Sequence, residues 1–171
     1  EGWEREWISG ETFDVGELVK DEGIRTDTNL EKMKRLRAIF DDDGQVTAGN
    51  ASQLSDGASA VLIASDYAVE KYDLPILAKV IDYCTSGLEP SRVMSAPITA
   101  VEILLNRNKL TIDDIDFIEH NEAFASASCS IQKALKIPND KFNPHGGAIA
   151  IGHPLGATGT RCLMTLVNAL N

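Results

Sequence analysis

Long apolar runs are missing from this chain of 171 residues: no stretch of about 18 apolar residues occurs, so no membrane-crossing helix is written into it. The opening EGWEREWISG lacks the basic-then-apolar order of a secretory signal. Basic charge is scarce as well. Against 26 Asp and Glu stand only 16 Lys and Arg, a formal net charge of −10, and such a field repels nucleic acid and anionic lipid. Neither is an expected partner. Cysteine is sparse: Cys84, Cys129 and Cys162 stand far apart with no CxxC pair, which excludes a disulfide framework and a zinc ribbon. Reduced thiols in a soluble, cytoplasmic protein are the expected state.

Several catalytic signatures are absent too. G-x-S-x-G does not occur, which removes the serine-hydrolase elbow. The order Gly152, Gly156, Gly159 is not G-x-G-x-x-G, and no Gly-Lys-Ser/Thr follows, so neither dinucleotide nor P-loop binding has its fingerprint. His120, His145 and His153 share no i, i+4 spacing on one helix and have no cysteine beside them, so no metal site is expected.

What is present reads as one α/β domain. At 43% hydrophobic content the chain can bury one core. Residues 1–20 scatter Trp3, Trp7, Ile8, Phe13, Val15, Leu18 and Val19 among charges, the pattern of a strand or arm without its own core. Asn29 is placed to cap a helix in which Leu30, Met33, Leu36, Arg37 and Phe40 recur at helical spacing, until Asp41-Asp42-Asp43-Gly44 stops it. The apolar run 58–64 predicts a buried strand, and Ser65-Asp66 starts a helix reaching about Lys71. Strands over 76–83 and 115–118 flank a helix around 98–106; a small-residue helix closes before Pro138, and a last helix covers 160–170. The expected architecture is a mixed sheet covered by helices.

Chemistry concentrates in three segments. In NPHGGAIAIGHPLGATGTR, residues 143–161, five glycines and two prolines surround His153 just ahead of a helix. A rigid imidazole there can act as a general base or donate to a developing oxyanion; a buried structural histidine on a turn is the plainer alternative. In HNEAF, residues 120–124, Asn121 stands where a strand meets a helix, placed to orient a water or a carbonyl, or simply to cap the helix. In VTAGNASQLSDG, residues 46–57, many backbone donors suit an amide-bearing ligand, or a turn. Arg25, Lys32, Lys34, Arg35 and Arg37 add a basic cluster fit for a phosphate, or for a solvated helix face.

Taken in order, GNAS-x-L-x-DGA, NEAFA and NxxGGAIAxGHPxGAxGxR resemble the signature series of the thiolases, from about Asp21 onward. The resemblance implies a thiolase-like C-terminal domain over 26–171, incomplete at both ends and stopping before a final C-x-GGG segment, with residues 1–25 as the tail of an upstream region. It implies acyl-CoA condensation or thiolysis of the acetyl-CoA C-acetyltransferase type. Coenzyme A thioesters would be the substrates, with no separate cofactor. On that resemblance His153 activates a nucleophilic cysteine and helps bind the thioester oxygen, while Asn121 holds the water that completes the oxyanion hole. Ser52 would touch the pantetheine arm, Ala48, Leu54, Ala123 and Phe124 would line its tunnel, and Arg25 would lie near the adenine nucleotide. Asn121 in place of a histidine points to the ordinary thiolase branch rather than the sterol-carrier type.

Both thiols of thiolase chemistry would lie outside these residues, and Cys129 and Cys162 are expected to be inert buried cysteines on helices. The expected partners are therefore CoA or acyl-CoA, the N-terminal half of a thiolase and, once complete, further copies in a homo-oligomer, with no turnover by the chain alone. The rival reading is a non-catalytic CoA- or acyl-CoA-binding module.

Overall fold

Capping side chains set the helices of this molecule, a computed structural model that describes residues 11–19 and 21–171. Asn29 accepts the amide of Lys32 at 3.0 Å and starts α1, Leu30–Met33. Ser65 accepts the amide of Ala68 at 3.3 Å and starts α2, Asp66–Tyr72, as its sequence position predicts. Helix α3, Ala96–Asn108, carries Pro97 in its first turn, where the missing N–H costs nothing. Helix α4, Ala125–Leu135, ends one residue before Lys136, which takes a left-handed φ of 54°. Short α5, Ala148–Ile151, then leads through His153 into α6, Leu155–Leu170.

Two helix expectations need correction. The helix predicted through Phe40 ends at Met33, because tertiary contacts win beyond it. Ile39 N–H donates to Val46 O at 2.9 Å, Ala38 bridges Thr47, and the chain reverses at Asp41, whose carbonyl accepts from Gly44 N–H at 2.8 Å. Leu36 then packs on Gly49, where an added Cβ would come within 2.7 Å of its Cδ1. Helix α6 begins five residues before the predicted Thr160, taking in Gly156 and Gly159. Pro154 O holds its first turn by accepting from Ala157 N–H at 2.9 Å and Thr158 N–H at 3.0 Å.

The predicted mixed sheet is not formed among the described residues, which contain four isolated bridges and no named strand. Residues 58–64 and 76–83 make no backbone–backbone hydrogen bonds there. A strand is a property of two segments, and neither run has a neighbour offering its N–H and C=O groups. The run 115–118 does better. Ile118 bridges Phe142 in parallel, donating to Lys141 O at 2.8 Å and accepting from Asn143 N–H at 2.9 Å. The predicted arm is described only from residue 11, where Val15 and Leu18 pair across a turn; Trp3, Trp7 and Ile8 lie outside the described residues.

The core is small and sits under α4, α5 and α6. Ala127, Ile131, Ile137, Ala148 and Ala157 are its buried apolar residues, and α3 packs on α4. On the runs 58–64 and 76–83 the apolar side chains face outward instead: Leu62 is 80% exposed and Ile81 76%. Patches of that kind mark surfaces that another body covers. No helix among the described residues is long and apolar enough to cross a membrane.

Candidate active site

Backbone pairing brings the three signature segments together. Ala51 and Phe124 form an antiparallel bridge, in which Ser52 N–H donates to Ala123 O at 3.0 Å and Ala125 N–H to Asn50 O at 2.8 Å. Phe124 meets Phe40 edge to face, with ring centroids 6.2 Å apart. The loop before the bridge is locked by Asn50, whose Oδ1 accepts from Thr47 N–H at 2.8 Å and whose Nδ2 donates to Gln45 O at 2.8 Å. From the other side His153 N–H donates to Gln53 O at 3.4 Å. Gly57 admits Pro154, since a Cβ there would meet its Cγ at 2.7 Å.

At the centre, His153 Nε2 stands 3.2 Å from Asn121 Nδ2, and His153 Nδ1 stands 2.7 Å from Thr158 Oγ1. The Thr158 hydroxyl donates to Pro154 O at 3.0 Å, so its oxygen accepts the Nδ1 proton. That fixes the neutral tautomer. The Nε2 lone pair is left facing the Asn121 amide, which donates to it. Asn121 Oδ1 is buried and has no hydrogen-bond partner among the described residues, an acceptor suited to a water.

Asn143 stitches the strand-like segment to the glycine-rich loop. Its Oδ1 accepts from His120 N–H at 2.7 Å, and its Nδ2 donates to His120 O at 2.9 Å and Glu122 Oε1 at 3.0 Å. The residue holds φ at 45°, a conformation asparagine tolerates better than most. His120 stacks on Phe142 and places Nδ1 3.1 Å from Ser128 Oγ; burial lowers its pKa, with Glu122 opposing. It is a packed structural histidine.

Behind Asn121, burial raises the pKa of Glu119 to about 7, Arg161 opposing the rise while Glu11 and Glu122 add to it. The Glu119 side chain is 2% exposed, its Oε2 lies 3.6 Å from Arg161 Nη1, and neither oxygen has a hydrogen bond among the described residues. A cleft of about 360 Å³ opens here between Met94, Glu119, Asn121, Ala123 and Cys162. A second, of about 420 Å³, runs along Asp56, His145, Pro154 and Arg161 and has neither Asn121 nor His153 in its wall. Of the two, the smaller reaches Asn121, and His153 lines neither.

Of the residues named from sequence, His153, Asn121, Ser52, Ala123 and Phe124 converge here. Leu54 is wholly exposed, Arg25 is exposed and without an ion pair among the described residues, and Ala48 is exposed in the loop before the bridge. In the basic cluster Lys32 pairs with Asp27 at 2.6 Å and Lys34 with Glu31 at 2.8 Å, which engages two of its five charges. Cys129, expected to be buried, is exposed, because it lies on the outer face of α4 opposite Ala127, Ser128 and Ile131. Cys162 is half-buried and its thiol pKa is raised by burial. Glu122, Asn143 and Thr158 were not singled out by spacing; only the neighbourhood of Asn143 to Pro144 and Gly146 hinted at a special turn.

The signature loops are thus joined by a bridge around a His–Asn pair. The chain belongs to the thiolase family: the model of the thiolase C-terminal domain matches residues 74–171, and that of the thiolase N-terminal domain matches residues 8–67. It is 48% identical over 153 residues to an acetyl-CoA acetyltransferase of Synechocystis, covering 90% of this chain and 39% of that protein. Human mitochondrial 3-ketoacyl-CoA thiolase in complex with CoA superposes with a TM-score of 0.85 at 43% identity, over 88% of this chain and 38% of that one. The dimeric peroxisomal thiolase of Saccharomyces cerevisiae does so with a TM-score of 0.84 at 42% identity, over 89% and 39%. The fold is thus thiolase-like α/β, and the chain spans about two fifths of the length of these relatives.

Proposed function

We propose that these residues supply the histidine–asparagine half of a thiolase site of the acetyl-CoA C-acetyltransferase type, acting on coenzyme A thioesters. The observation that carries this reading is the 3.2 Å approach of Asn121 Nδ2 to His153 Nε2, with Nδ1 already committed to Thr158. In this tautomer Nε2 can take the proton of a thiol. Once it has done so, the Asn121 amide and the imidazolium N–H aim donors at one point, and they repel unless an oxygen sits between them. A thioester or enolate oxygen fills that need, and a water on Asn121 Oδ1 extends the same cradle.

Ser52, Ala48, Leu54, Ala123 and Phe124 then border the pantetheine arm, and Arg25 offers its guanidinium to a nucleotide phosphate. The thiols must come from elsewhere. Cys84 donates to Ala100 O at 3.2 Å, Cys129 lies on an outer helix face, and burial raises the pKa of the Cys162 thiol, which disfavours its thiolate. The 171 residues alone therefore do not turn over. The remaining thiolase half covers the runs 58–64 and 76–83 and completes the site, and the complete enzyme binds CoA and assembles as a homo-oligomer; the CoA complex among its relatives supports the CoA binding, and the dimer supports the oligomer.

Acetoacetyl-CoA thiolysis by the complete protein tests the reading. His153→Ala is expected to lower kcat by about 10²- to 10⁴-fold, and Asn121→Ala to lower kcat/KM by about 10²-fold. Unchanged rates in both would overturn it. CoA binding without any thiolysis by the parent would instead select the non-catalytic module.

A further inference from the structure

Glu122 has no part in the chemistry outlined above, yet its carboxylate spans the two segments that carry it. Oε1 accepts from Asn143 Nδ2 at 3.0 Å, and Oε2 accepts from the N–H of Ile149 at 3.3 Å. Ile149 lies in α5, Ala148–Ile151, four residues before His153, while Asn121 is the covalent neighbour of Glu122. One carboxylate is therefore fixed to both sides of the His153–Asn121 gap. Room for it is made by Gly147: a Cβ there would meet Cδ and Oε2 of Glu122 at 2.8 Å. Gly147 has an extended backbone with φ −168°, which any residue adopts, so the requirement is for space and not for conformation.

We propose that Glu122 is a positioning residue, whose carboxylate sets the separation of Asn121 Nδ2 and His153 Nε2; the role assigned to that gap rests on the thiolase reading. Both ties are made by a carboxylate to part-buried donors, where such bonds are stronger than in open water. Loosening either one lets the HNEAF segment and the α5–His153 turn move independently. Catalysis is sensitive to such shifts: about 1 Å of misplacement can cost about 10²-fold in rate.

Two variants of the complete protein separate this from a merely structural role. Glu122→Gln keeps the shape but presents an NH2 group to one of two donors. Gly147→Ala keeps the charge but displaces the carboxylate. Both are expected to lower kcat per folded molecule by about 10²-fold, with KM for acetoacetyl-CoA within about threefold of the parent. A structural role alone would lower the melting temperature and leave kcat per folded molecule intact, and that result in both variants overturns the inference. Asn121→Ala and His153→Ala belong in the same assay. If they abolish turnover while the Glu122 and Gly147 variants do not, only the positioning role fails. If they leave the rate unchanged, the thiolase reading fails and takes this inference with it.

Discussion

Two parts of this molecule satisfy their backbone in opposite ways. Between residues 118 and 158 the chain pairs with itself: Asn143, Glu122 and Thr158 supply side-chain hydrogen bonds wherever the backbone turns too sharply for a ladder. The runs 58–64 and 76–83 are as apolar as any core strand, yet they make no backbone–backbone hydrogen bonds among the described residues, and Leu62, Ile63, Ile76 and Ile81 face outward. The first region is satisfied within the chain; the second, on the proposed reading, is covered by the rest of a thiolase. A site held by side chains can be read in isolation, whereas a sheet cannot.

The largest expected effect breaks the contrast at Ile81. Placed at a surface that the rest of the complete protein covers, an unpaired carboxylate costs about 4 kcal/mol or more, so Ile81→Asp should destabilise the complete protein by about that much in denaturant titration. In the 171-residue chain by itself Ile81 is 76% exposed, and the same change should alter stability by no more than about 0.5 kcal/mol. Equal effects in both settings would mean that the run is not an interface.

Asn143 tests the self-contained region. Removing its side chain leaves both backbone groups of His120 and one Glu122 oxygen without their partner and puts alanine at φ 45°, so Asn143→Ala should cost about 3 kcal/mol by denaturant titration. A cost under about 1 kcal/mol would show the stitch to be dispensable.

Glu119 gives that region a pH signature. A carboxyl whose folded pKa is raised from 4.5 to about 7 binds protons more tightly folded than unfolded. Its contribution is therefore most favourable below the unfolded value and is lost as pH climbs from 4.5 to about 7, the reverse of a paired surface carboxylate. The loss is on the order of 3 kcal/mol. Glu119→Gln should flatten this part of the stability profile, and an unchanged slope would assign it to other groups.

The smallest effect concerns thiols. Exposed Cys129 should react first with a disulfide reagent, and Cys162, half-buried and with its pKa raised, should react more slowly. The reverse order would contradict the packing of α4 and α6.

Much of the scaffold was legible because caps act locally: Asn29 and Ser65 begin their helices where their neighbours in sequence place them. Convergence of the signature segments was legible through their resemblance to thiolases. Side-chain ties over long separations were not. Asn143 lies 21 positions from Glu122, and Ile149 lies 27, so no local pattern announces them. Helix α1 stopped short for a tertiary reason, since Leu36 found Gly49 instead of another turn. The run 58–64 showed its appetite for burial in its composition, but which segment lies alongside it is not encoded within the run.

The measurement that bears most directly on the account is acetoacetyl-CoA thiolysis by the 171-residue chain alone, beside the complete protein and its His153→Ala variant. Turnover by the complete protein, lost with His153 and absent from the isolated chain, is the expected result. Turnover by the isolated chain that disappears on His153→Ala would contradict it, because one of its own cysteines would then be serving as the nucleophile.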